Sequence, residues 1–225
     1  MNDLSKVTSK PENKDAYQYG LSTLHAWIRC MELILHVSYN LPFQKWSATT
    51  PENKRLKEEK KKTVQTQFTN QMGLHIGKPR QGAGNSNDGN TDRRFFENYH
   101  YSSEITGVDE EFIKRLYVIL QTLASGHAIN PDKFGEYTRN TAQLYVEKYR
   151  WYYMPSSVHK ILIHGENIIK HFAILPIGQL AEDAQESRNK NYKKNRLEHS
   201  RKCSRKPSQS VTKELWEEAR NLLEF

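Results

Sequence analysis

Residues 21–41 read LSTLHAWIRCMELILHVSYNL. Leu24, Ile28, Met31 and Leu35 recur at three- and four-residue steps, and Trp27 and Ile34 widen the stripe. The segment is therefore expected to form a long amphipathic helix with one face on a core. Pro42, which has no N–H to continue the helical ladder, ends it.

Working outward, the pattern stays helical. Residues 1–16 are polar, with almost nothing to bury, and are expected to form a mobile, disordered arm. Downstream, Thr50-Pro51 supplies an N-cap and a first-turn proline for a charged segment that stops at Gly73. Its apolar residues Leu56, Val64, Phe68 and Met72 thicken towards the end, so the first half is expected to be solvated and the second half docked. Lys60, Lys61 and Lys62 suit phosphate, although a charge run on a helix is more often a solvent face. Gly77 to Thr91 has no periodicity and reads as a loop without a phosphate-binding motif, in which Lys78 and Arg80 are available to DNA backbone.

Beyond the loop, Arg93 to Tyr99 predicts a short helix. Asp109 to Ser125 predicts a longer one, with Phe112, Leu116, Ile119, Leu120 and Leu123 on one side and Gly126 past its end. Asn130-Pro131 opens another that runs to Tyr149. Trp151 to Pro155 makes an aromatic elbow, of a kind that packs in a core more often than it stacks on bases. A helical segment, Ser157 to Phe172, follows, then Pro176, and the tail from Ser210 to Phe225 has helical spacing. No alternating strand pattern of useful length occurs, so the fold class expected is mainly α.

Composition bounds the function. The chain of 225 residues has a formal net charge of +8, which favours a polyanionic partner, most often nucleic acid. Its two cysteines, Cys30 and Cys203, are far apart and build neither a disulfide framework nor a CxxC zinc site. Without a signal-like start or a run of about 18 apolar residues, the expectation is a soluble, intracellular protein with no membrane partner.

The segment from Pro176 to Lys206 opens with carboxylates and closes with lysine and arginine, the order a helix macrodipole favours. Together with VHKILIHGENII from Val158 and LPIGQLAEDAQESRNKNYKKNRLEHSRKCSR from Leu175, it resembles the C-terminal part of Transib transposases. More distantly it is similar to the core of the V(D)J recombination-activating recombinase. YGLSTLHAWIRCMELILH from Tyr19, NDGNTDRRFFEN from Asn87 and SGHAINPDKFGEY from Ser125 extend the likeness to residues 17–206.

The resemblance implies a DDE-type nuclease and strand transferase on an RNase H-like fold with a helical zinc-binding insertion. In that plan, residues 17–175 are the insertion-type region and 176–206 the catalytic-glutamate helix and basic segment. Residues 207–225 are a C-terminal helix, and the RNase H sheet is largely absent from this chain. Three carboxylates would hold two Mg²⁺ or Mn²⁺ ions for in-line displacement at phosphorus. The third falls on Glu186, with Glu182 and Asp183 a turn earlier as alternatives. Read without the family, Glu186 is a surface residue paired with Lys190.

His159 and His164 match the two histidines with which the family completes a zinc site. Five residues apart on an ideal helix, they diverge by about 140°, so both reach one ion only with a helix end or bend beside them. The paired cysteines of the family have no counterpart here, nor do its first two catalytic aspartates; Asp3 and Asp15 lie in the polar arm. The zinc site is half present, and one carboxylate does not hold two metals.

The function expected is therefore that of the C-terminal portion of a Transib-like recombinase, nuclear and DNA-binding, inactive alone and competent only when complemented. Homodimerisation or association with a full-length transposase is the implied protein partnership. The alternative is a non-enzymatic helical protein that binds DNA or a transposase subunit. DNA contact is assigned to Arg188, Asn189, Lys190, Lys193, Lys194, Arg196, Arg201, Lys202, Arg205 and Lys206, a run opposed only by Glu198, which equally suits a nuclear-import signal.

Overall fold

In the computed structural model of the chain, the described residues are 21–77, 89–172 and 177–180. The chain divides after Glu182 into two units, and every described residue belongs to the first. The arm, the basic segment and the C-terminal tail all lie outside the described residues.

Among the described residues seven helices follow one another: α1 Thr23–Asn40, α2 Pro51–Met72, α3 Gly89–Glu97, α4 Tyr99–Thr106, α5 Glu110–Ala124, α6 Pro131–Tyr149 and α7 Ser156–Phe172, then a 3₁₀ turn at Ile177–Leu180. No strand occurs among the described residues, so the fold is mainly α. No described helix is long and apolar enough to cross a membrane.

Local chemistry fixes the helix ends. Ser22 accepts a hydrogen bond from the His25 N–H, Thr50 from that of Asn53, Asp109 from that of Phe112 and Asn130 from that of Lys133, so four of the described starts carry a side-chain N-cap. Gly73 closes α2 at φ +63°, a left-handed conformation that costs a residue with a Cβ.

Helix α1 is the hub. It packs against α2, α3, α4, α5 and α7, and Trp27, Cys30, Met31, Leu33, Ile34 and Val37 are all buried. A helix apolar on this much of its circumference belongs inside a bundle. Trp27 meets Phe96 of α3 edge-on at 5.7 Å, and Phe68 of α2 lies 5.4 Å from Phe95. Each such fully buried side chain contributes about 1.5–3 kcal/mol. Ser38 of α1 donates to the Thr106 carbonyl of α4 at 2.6 Å, which fixes the register of those two helices.

Three expectations need correction. The segment expected as loop through Thr91 is already helical at Gly89, because Phe95, Phe96 and Asp92 are buried and hold α3 against α1. The approach is close: a Cβ at position 89 would stand 2.8 Å from Leu24 Cδ1. Helix α4 was not expected, since only Ile105 among its apolar side chains is buried. Lys60 and Lys61, expected on a solvent face, are half-buried against the bundle, and only Lys62 of that run is exposed.

Helices α6 and α7 form an antiparallel pair, with Asp132 meeting Lys170 at one level and Arg139 meeting Glu166 at another. In the elbow between them Trp151, Tyr152 and Met154 pack against the core, and Tyr145 donates to the Tyr152 carbonyl at 3.0 Å. Tyr153 alone of that cluster stands out, 76% exposed.

A histidine pair on helix α7

Val158, Ile161, Leu162, Ile168 and Ile169 turn one face of α7 into the core. Gly165 lets the helix approach Phe134 of α6, whose ring a Cβ there would meet at 2.9 Å. These contacts set the rotation of α7 and leave His159 and His164 half-buried on its flank. His159 lies in the first turn, its N–H bonded to the Pro155 carbonyl at 2.9 Å. The helix end beside it frees its side chain to lean along the axis.

The two imidazoles come together, with ring centroids 5.1 Å apart and planes at 63°. Two imidazoles on one tetrahedral zinc, with Zn–N bonds of about 2.0–2.1 Å, have centroids about 5 Å apart. An edge-to-face aromatic pair adopts a similar spacing. His159 Nε2 is buried and has no hydrogen-bond partner. Burial, and then the charge of His164, hold the His159 pKa below its ordinary value, so the ring is neutral and offers a lone pair.

The donors suit zinc, and they are two. Among the described residues no group of three or more His, Cys, Asp or Glu side chains is placed to hold a metal ion. Cys30 supplies no thiolate: it is buried in the α1 core, where burial first and the Asp92 charge second push its pKa up to about 12.

Glu166, unremarked in the sequence, lies two residues beyond the pair and ties the two helices together. It accepts from Lys170 Nζ at 2.7 Å and from Arg139, and Lys170 also meets Asp132 at 2.7 Å. The four-residue spacing of Glu166 and Lys170 was the available sequence signal. Glu186 and the ten residues assigned to DNA contact, from Arg188 to Lys206, lie outside the described residues. No known family profile matches the chain, and no curated protein matches it.

Proposed function

We propose that the chain is the C-terminal portion of a Transib-like DDE recombinase, which binds DNA and contributes Glu186 as the third metal-binding carboxylate. Its support is the resemblance across residues 17–206, to which the side-by-side imidazoles of His159 and His164 on α7 add a donor pair of the right spacing. These two would hold half of a zinc coordination shell, a structural crosslink completed by thiolates from another polypeptide segment. Divalent ions at Glu186 would supply an activated nucleophile and stabilise the leaving oxygen, with two further carboxylates contributed from elsewhere.

A polypeptide carrying those aspartates, mixed with this chain, should restore Mg²⁺-dependent DNA nicking that Glu186→Gln abolishes. Nicking indifferent to that substitution removes Glu186 from the chemistry. A second reading follows from the lack of matched aspartates within these 225 residues: the chain binds DNA or a transposase subunit without cutting. Under that reading the mixture binds DNA and never nicks it.

A further inference from the structure

The α1–α2 hairpin carries basic groups that face the wrong way for a solvent-exposed charge run. Buried Val64 and Phe68 define the inward stripe of α2. Stepping back at about 100° per residue brings Lys57 and Lys61 onto that stripe, with Lys54 and Lys60 at its margins. Lys57, Lys60 and Lys61 are half-buried, and burial holds Lys60 below its ordinary pKa. Of the acids of α2, Glu59 lies on the other side, where it pairs with Arg55 at 3.8 Å, while Glu58 stands near enough to α1 to raise the Tyr39 pKa after burial and forms no ion pair with these lysines. Among the described residues, none of these four lysines forms an ion pair. Half-buried ammonium groups without carboxylate partners cost free energy that a bound anion offsets.

The neighbouring elements reinforce this polarity. Burial first, and then the charges of Lys57 and Lys61, lower the pKa of His36 of α1, which sits within their field. The opposing acid, Glu32, is engaged by Arg29 at 2.7 Å. The connecting loop then presents Trp46, 71% exposed, beside Lys45. That loop is held: Asn40 Nδ2 donates to the Trp46 carbonyl at 3.1 Å, and Gln44 takes a left-handed φ of +48°. An exposed indole on a backbone-anchored loop that leads directly into a helix carrying unpaired cations suits single-stranded nucleic acid, the ring stacking on a base and the cations following the backbone.

We propose that the loop end of the α1–α2 hairpin binds an unpaired DNA strand, with Trp46 stacked on a base and Lys54, Lys57 and Lys61 on the adjoining phosphates. This rests on the DNA-binding reading above and adds to it a place and a strand state. Fluorescence anisotropy of the full chain, with a labelled single-stranded oligonucleotide and a duplex of equal length in rising salt, tests it. Trp46→Ala should weaken single-strand binding about five- to 150-fold and leave duplex binding unchanged. Lys57→Gln with Lys61→Gln should reduce the log–log salt slope for the single strand by about 1.4, at about 0.7 per phosphate contact. Thermal unfolding checks that each variant folds, and exposed Lys54→Gln, expected to reduce the slope by about 0.7, serves if the double variant does not. Variants that bind the single strand as the wild type does overturn this proposal alone. Equal losses on duplex and single strand overturn the unpaired-base assignment. Absence of any DNA binding by the wild-type chain overturns the broader reading with it.

Discussion

At the scale of single residues, the α7 histidines and Glu166 are neighbours in sequence with opposite chemistry. His159 Nε2 is a buried nitrogen without a hydrogen-bond partner, and on the zinc proposal it is the atom the metal would take. Zinc titrated into the chain should bind weakly, and His159→Ala or His164→Ala should abolish that heat in calorimetry. Adding a peptide with two cysteines should tighten binding in the wild type alone. If neither substitution changes the titration, the pair is an aromatic contact and nothing more. Glu166 lies at the other extreme, saturated with cations. The hydrogen bond from Lys170 first, and Arg139 after it, hold its carboxyl below the usual carboxylate range. A folded-state pKa below the unfolded one means the contribution is present above the ordinary carboxylate pKa and is lost as pH falls through the folded value. Melting temperatures of wild type and Glu166→Gln should therefore differ near neutrality and converge in acid. Parallel curves would separate Glu166 from acid stability.

At the scale of elements, the helix starts are governed by residues adjacent in sequence. Thr50, Asp109 and Asn130 each satisfy an N–H three residues ahead, and Thr50→Ala or Asn130→Ala should cost about 1 kcal/mol, typical of a lost N-cap. Denaturant midpoints measure this, and an unchanged midpoint would mean the first turn is held by packing. Because caps are local, the starts of α2, α5 and α6 were legible in the sequence. Helix α4 was not, because its hold on the bundle comes through buried hydroxyls: Ser102 donates to the Phe95 carbonyl at 2.7 Å, and Thr106 receives Ser38 at its own carbonyl. Polar anchors of this kind leave no apolar period. The inward lysines of α2 were illegible for another reason, since periodicity separates the faces of a helix without saying which partner covers each. The histidine pair was half legible: the resemblance pointed to both residues while their five-residue spacing argued for divergence, and their ring contact depends on the helix end beside His159 and the rotation set by Gly165 against Phe134.

At the scale of the molecule, a net charge of +8 favours a polyanionic partner without locating its surface. Two basic regions now compete for that role: the inward lysines of α2 and the run from Arg188 to Lys206, where nine lysines and arginines face Glu198. Counterion release lets them be counted separately, because each phosphate contact on duplex DNA contributes about 0.9 to the log–log salt slope and each on a single strand about 0.7. Replacing Lys193, Lys194 and Arg196 by Gln should reduce the duplex slope by about 2.7 if all three contact phosphate. Combined with Lys57→Gln and Lys61→Gln, the losses in log affinity on a single strand should add within about 0.3–0.5 kcal/mol if the regions bind independently. A combined loss well short of that sum would mean the two regions hold the same phosphates. A duplex slope untouched by the tail substitutions would remove the basic run from the interface and leave the hairpin as the DNA-binding surface.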